Sequence, residues 1–598
     1  MSETTEGTRV IAATVAALPG SARERFADRV AARRKVDGEW TEITYGEVGD
    51  TINEIALGLV DLGIEPGDRV GILADTRLEW TLASYGISAA GGVVVPIYPT
   101  NSPHECQWVA GNSEAKAVVV ENEGQAAKIK EIRGELPSLE HLIGMEPGIG
   151  DVSLEDLRAR GRDGDAAELE SRQSAIEPDD PYTIVYTSGT TGPPKGSVLT
   201  HHNAMTVCDI VEKLEFVQPG EVTYLYLPLA HVFALLAQLA SFDQGTAIVY
   251  LGGDTKQILA EIIETKPTYL PSVPRIFEKL YAAAMKLQEQ ASEEDRERFQ
   301  KAIKVGVEVR RRQQRGEPVP DELKGPFEQA DKEIFSRVRD LFGGQIRQAV
   351  TGAAPIAPEI LEFFYAAGVP VLEGWGMTET TGVGTVGTLE DFKFGTVGKP
   401  LPGVELKISD EDGEILMKGP NVFKEYWRNP DATAETFDED GWLKTGDVGS
   451  IDDDGFLKIT GRKKDIIITA GGKNLTPSNI ENDLKQSRFI SQAVMYGDRK
   501  PFPVALITLD PEEIVPWAKE QGLPEDMGEL AETEQVRELV QKELDRANSN
   551  YARVEQIKKF TILDHDLSIE SGELTPTLKV KRNVINDRYE DLFESMYG

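Results

Sequence analysis

Residues 69–98 read RVGILADTRLEWTLASYGISAAGGVVVPIY, and the fold class follows from them. RVGIL is an apolar run of strand length, LEWTLASYGISAA carries apolar residues at helical spacing, and VVVPIY is a second β-rich run. Outward from this unit, AKAVVVEN (115–122) and TAIVYLGG (246–253) repeat the short apolar strand. Such alternation over several hundred residues predicts an α/β fold of doubly wound sheets. Residues 284–340 are charged, helically spaced and without strand signals, so a helical insertion on the surface is expected there.

From Gly395 the texture changes to short β segments, with DEDG (410–413) and DDDG (452–455) as hairpin turns. This predicts a small β subdomain. Then Thr476 caps a helix that starts at Pro477, and QAVMYGD and FPVALITLD are strands before helical EQVRELVQKELDRANS. The last stretch is a compact α+β unit, separable near Arg462–Asp465. The expected domains are therefore residues 1–462 and 463–598.

Of the 598 residues 40% are apolar and 28% charged, which suits a packed core and not a disordered chain. Cys106 and Cys208 are the only cysteines, too few for a disulfide framework or a multi-cysteine metal site. The amino terminus lacks the basic start and apolar core of a signal peptide, and no apolar run approaches about 18 residues. The expectation is a soluble, cytoplasmic protein without a transmembrane segment. With 64 basic and 101 acidic residues the net charge is −37, a surface that repels nucleic acid. It also repels anionic ligands at long range, unless salt near 1 M shortens the Debye length to about 3 Å. A salt-rich cytoplasm is expected on that ground.

The sharpest chemical signal is YTSGTTGPPKG, Tyr186–Gly196. It follows the strand TIVY and precedes a helix that Asn203 can cap. Gly189 and Gly192 let backbone N–H groups approach an anion, Thr187, Ser188, Thr190 and Thr191 add hydroxyl donors, and Lys195 adds charge. That suits a triphosphate. It is not a Walker A loop, because the lysine precedes the last glycine. A plain surface turn needs no such set of residues after a buried strand.

YTSGTTGPPKG resembles the phosphate loop of AMP-forming acyl-CoA synthetases, in the adenylate-forming superfamily. LPLAHVF (227–233), GAAPIAP (352–358), EGWGMTET (373–380), TGD (445–447), GRKKDIIITAGGKN (461–474) and LTPTLKVKR (574–582) match in order, over about residues 40–590. VPRIFEKLY (273–281) and the helical insertion are in the style of long-chain fatty-acid ligases. The resemblance implies ATP, Mg²⁺ and coenzyme A as cofactor and co-substrates, a fatty acid as substrate, and a mobile carboxy-terminal domain that swivels at Lys464.

It also implies roles for single residues. Gly352, Ala353 and Ala354 form a backbone shelf beside adenine, opposite Glu373, Gly374, Trp375 and Gly376. Thr378 touches the α-phosphate, and Glu379 holds Mg²⁺, a hard cation that prefers oxygen. Asp447 and Arg462 meet the ribose. Lys579 reaches the carboxylate and α-phosphate, with Lys581 as competitor for that slot because the usual glycine before it is missing. His231 and Phe233 line the acyl tunnel, and Gly471, Gly472 and Lys473 approach the pantetheine arm. Simpler readings exist for several of them: a core aromatic for Trp375, an Asx turn for Asp447, a satisfied core histidine for His231, and a solvated pair for Lys463 and Lys464. His201 and His202 read as structural. No Ser-His-Asp triad or zinc cluster is indicated.

Other outcomes stay open at this level. They are a ligase for short or aromatic acids or for a carrier protein, a phosphotransferase, and a non-catalytic ATP or acyl-CoA sensor. Acyl chain length, a homodimer and contact with a membrane surface are not legible.

Overall fold

A computed structural model describes residues 12–187, 193–289, 292–470, 473–575 and 579–598. Its first sheet is built on β1 (Arg69–Leu73), β2 (Val93–Ile97), β3 (Ala117–Val120), β4 (His141–Gly144), β5 (Pro181–Thr187) and β6 (Lys195–Thr200). The spatial order is β6-β5-β2-β1-β3-β4, parallel throughout except for antiparallel β6. Helix α1 (Leu78–Ala89) joins β1 to β2 and is buried on nearly every side. A helix apolar all round must be covered all round. The second sheet covers it.

That sheet contains β7 (Val222–Leu225), β8 (Ala247–Tyr250), β9 (Tyr269–Ser272), β10 (Gln348–Thr351) and β11 (Val371–Trp375), in the order β11-β10-β9-β7-β8 and parallel. Helix α2 (His201–Lys213) precedes it, and α3 (Val232–Asp243) links β7 to β8. One core joins Val70, Ile72 and Val94 of the first sheet, Tyr85 of α1, Phe242 of α3, and Leu225 and Ile248 of the second. The helices α1 and α3 are therefore the middle layer between two sheets.

Two expectations are corrected here. The N-cap of α2 is Thr200, not Asn203: the Asn203 side chain closes a capping box from the third position. The 284–340 segment is helical, with α4 (Pro274–Glu289) and α5 (Glu293–Gln314), but it is more than a surface appendage. Phe299, Ala302, Gly306 and Val309 make a buried stripe along α5 at a spacing of three to four, and Phe299 meets Phe363 at 6.0 Å. Its charged residues conceal one apolar face.

The β subdomain is an antiparallel sheet of β12 (Glu405–Ile408), β13 (Glu414–Lys418), β14 (Leu443–Ile451) and β15 (Leu457–Arg462). DEDG and DDDG sit at its two expected hairpin turns. Beyond it come α6 (Pro477–Lys485), β16 (Ile490–Tyr496), β17 (Val504–Leu509), α7 (Pro511–Gln521), α8 (Glu534–Asn548) and β18 (Lys559–Ile562), around a separate core. Pro477 does open α6, but Thr476 caps by position only, because its side chain accepts no bond there.

Candidate active site

The carboxyl ends of β10 and β11, the β14–β15 hairpin and the carboxy-terminal unit enclose one cavity of about 1990 Å³. Parallel sheets present their ligand crevice at this edge. Of the residues singled out from sequence, Thr187, Lys195, His231, Phe233, Gly352, Ala353, Ala354, Glu373, Gly374, Trp375, Gly376, Thr378, Glu379, Asp447, Arg462, Lys464 and Lys579 all line it. Ser188, Gly189, Thr190, Thr191, Gly192, Gly471 and Gly472 lie outside the described residues. Lys473 is exposed away from the cavity lining, paired with Glu555 at 3.3 Å.

Where β10 ends, the chain turns through Gly352 into Ala353 at φ +68°. A left-handed alanine is strained, and such strain persists where the surroundings hold it for function. One strand over, β11 delivers Glu373 and Trp375. Burial pushes the Glu373 carboxyl up to about 8. The Trp375 indole N–H donates to Asp447 Oδ2 at 2.8 Å, and Arg462 Nε meets Asp447 Oδ1 at 3.0 Å. Asp447 and Arg462 face each other because they pair across the β14–β15 ladder. Both Asp447 oxygens are thus held, with lone pairs left over for a hydroxyl ligand.

Glu379 stands on the single turn Thr378–Thr380 and is only 6% exposed. The Tyr426 hydroxyl donates to its Oε1 at 2.5 Å. Burial raises the Glu379 carboxyl above its usual range. Lys195 Nζ lies 5.0 Å from the Tyr426 ring centre. A hard divalent cation fits this corner: a buried carboxylate oriented by the Tyr426 hydroxyl, with Lys195 and Arg462 as the cations that act on it. No group of three or more His, Cys, Asp or Glu side chains with metal-binding geometry occurs among the described residues. Mg²⁺ does not require one, since it commonly takes one or two carboxylates plus substrate phosphates.

Thr575 N–H donates to the Lys579 carbonyl at 2.8 Å, and the Lys579 N–H donates to Thr575 Oγ1 at 3.0 Å. Leu574 and Val580 form an antiparallel bridge on either side of this pair. Burial pulls the ammonium down to about 8, assisted by the Arg462 cation and opposed by Asp447. Lys581 lines the cavity too and caps the helix Arg582–Arg588 by position. His231 caps α3: its Nδ1 accepts from Phe233 N–H at 3.2 Å, so a neutral ring carries its proton on Nε2. Burial first, then Lys579, pulls His231 down to about 3, which keeps it neutral at physiological pH.

An apolar arm leaves the polar centre between α2 and α3. Val207, Ile210, Val211 and Leu214 line it from α2, and Phe233, Leu236, Ala237 and Ala240 from α3. Their spacing of three to four turns one face of each helix to the arm. Tyr426 and, apart from Phe233, the arm residues escaped the sequence reading. Tyr426 lies 47 residues from Glu379 with no local motif, and the arm residues read as ordinary core.

These features define an enzyme of nucleotide-dependent acid activation, and the chain belongs to the AMP-binding enzyme family. It matches that family over residues 21–427 and the family's carboxy-terminal domain over residues 464–598. Among curated proteins it is 40% identical to the long-chain-fatty-acid–CoA ligase FadD15 of Mycobacterium bovis, over 96% of this chain and 95% of that one. It is 34% identical to the long-chain-fatty-acid–CoA ligase ACSBG2 of Xenopus laevis, over 96% of this chain and 82% of that one. Among solved structures, the adenylation domain of a carboxylate reductase from Mycobacterium chelonae superposes with a TM-score of 0.77 at 22% identity, covering 98% and 91% of the two chains. ATP-bound MatB from Rhodopseudomonas palustris gives 0.70 at 24% identity, covering 97% and 99%. These neighbours share the fold.

Proposed function

We propose that this chain is an AMP-forming long-chain fatty-acid–CoA ligase. The carrying observation is that Lys579, Glu379 and the Asp447–Arg462 pair share one cavity with an apolar arm. A fatty acid arrives already ionised, so its attack on the α-phosphorus of ATP needs no general base. Positioning and charge neutralisation suffice, and the products are acyl-AMP and pyrophosphate. Thr378 and Lys579 face the α-phosphate and attacking carboxylate, Lys195 the outer phosphates, Asp447 and Arg462 the ribose, and Gly352–Ala354 with Glu373–Gly376 the base. Mg²⁺, when bound at Glu379, supplies charge neutralisation to phosphate oxygens. In the second half the coenzyme A thiolate attacks the acyl carbon and AMP leaves. Lys579 would crowd that thiol, so the unit after Lys464 turns as a body between the halves, the division falling at residues 462 and 463.

The arm favours a long alkyl chain over short or aromatic acids, as do the names of the relatives. The test is a panel of acids from C2 to C20 plus aromatic acids, scored by CoA- and ATP-dependent release of AMP and pyrophosphate. ADP as product, or AMP released only with aromatic acids, overturns the reading. The net charge of −37 supports work in a salt-rich cytoplasm. No helix among the described residues is long and apolar enough to cross a membrane.

A further inference from the structure

The apolar arm has a constructed end. At the N-terminal edge of the second sheet, opposite the nucleotide crevice, Phe216 and Tyr269 line the cavity and are 5% and 7% exposed. Tyr269 is the first residue of β9 and pairs in register with Gln348, the first of β10. Phe216 follows α2 directly after Glu215, whose φ of +51° reverses the chain. Its carbonyl accepts from Arg347 Nη2 at 2.7 Å and from Gln348 Nε2 at 2.6 Å. Arg347 is in turn held by both oxygens of Glu221, at 2.5 and 3.0 Å. Two rings thus close the arm, and a clamped ion pair lies behind them.

We infer that Phe216 and Tyr269 form the floor of the acyl arm and set the longest chain that it holds fully extended. The inference rests on the proposed ligase reading and adds its length limit. Two independent rulers give the depth. From Gly352 back to Gln348 is four residues of parallel strand, about 13 Å. From His231 at the head of α3 to Ala240 is nine helical residues, again about 13 Å. An extended chain of about ten methylenes spans this, at about 1.3 Å each as the projection of a 1.5 Å bond. A longer chain must bend or press against the two rings, which Arg347 and Gln348 hold in place through the Phe216 carbonyl. Ala240 marks the same depth from the helix side, and its small size keeps the last part of the arm open.

The test compares kcat/KM for saturated acids from C8 to C20 in the native protein, Phe216→Ala and Ala240→Phe. The readout is the ratio of the C16 to the C8 value, which a general loss of stability does not move. Phe216→Ala should raise that ratio about tenfold and Ala240→Phe should lower it about tenfold, the scale of one or two methylenes gained or refused by a hydrophobic site. An unchanged ratio in both variants, or a shift of both in one direction, overturns the floor while leaving the ligase reading intact. Failure of the native protein to release pyrophosphate with any straight-chain acid overturns both.

Discussion

At the scale of the residue, burial raises the Glu379 carboxyl and pulls the Lys579 ammonium down to about 8. Removing one preorganised cation from a developing charge typically costs about 10²–10³ in rate. Lys579→Ala should therefore lose acyl-AMP formation on that scale while still making thioester from supplied acyl-AMP. Equal loss in both half-reactions would remove Lys579 from the first. Because the folded lysine sits near 8, below its ordinary 10.5, the ammonium is present below that pH and lost above it. Adenylation by the native protein should fall as pH rises through about 8, a limb absent from Lys579→Ala. Tyr426 acts one step back, as the donor that orients the buried Glu379 carboxylate. Groups that hold a metal ligand in this way are commonly worth about 10–100-fold in metal affinity. Tyr426→Phe should raise the Mg²⁺ concentration for half-maximal rate by about tenfold, with the saturated rate recovered, and a Mg²⁺ titration at fixed ATP decides it.

At the scale of the element, caps and turns place the chemistry. The box at the head of α2 is also a tie, since Asn203 Nδ2 donates to the carbonyls of Pro420 and Val422 at 2.8 and 3.0 Å. The neighbouring Asn421 Nδ2 donates to Thr380 and Val383 carbonyls, beside the Glu379 turn. Losing a cap costs about 1 kcal/mol. Leaving buried carbonyls unpaired costs about 1–3 kcal/mol more. Asn203→Ala should thus lower Tm by more than Thr200→Ala, and thermal unfolding of the two variants measures the order. How each element begins was largely legible beforehand: Pro477 opening α6 and the DEDG and DDDG hairpins are local chemistry. Thr200 was not distinguished from Asn203 because a box uses both residues, and side-chain spacing alone does not say which one leads.

At the scale of the whole molecule, two of the ion pairs among the described residues join the large unit to the small one away from the hinge. Arg275 on α4 meets Asp510, the N-cap of α7, and Lys279 one turn later meets Glu512 at 2.7 Å. The Asp510 side chain is 9% exposed, whereas Glu512 is 67% exposed, so the first pair is the stronger of the two. These pairs hold the arrangement in which Lys579 lines the cavity. The double variant Arg275→Ala, Lys279→Ala should slow adenylation and leave thioester formation from acyl-AMP equal or faster. A drop in both halves would show that the pairs merely hold the fold together. The same scale governs salt. With a net charge of −37, added KCl should raise both Tm and kcat/KM towards molar concentrations, as screening relieves self-repulsion and repulsion of ATP. A Tm and activity that are best in dilute buffer refute this.

What the chain determined by itself was local. Strand-and-helix alternation in 69–98 and the glycine–hydroxyl loop depend on neighbours within a few positions, so spacing reports them, while the motif carboxylates and Lys579 were legible through the resemblance to a known family. Tertiary structure decided the partners. Tyr426 reaches Glu379 across 47 residues, Trp375 reaches Asp447 across 72, and Arg347 clamps Phe216 across 131. Which strand lies beside which is settled by crossover connections and by how two sheets share the helices α1 and α3. No periodicity in the chain encodes that order, and so the depth of the arm and the docking of Lys579 emerge only when the layers are assembled.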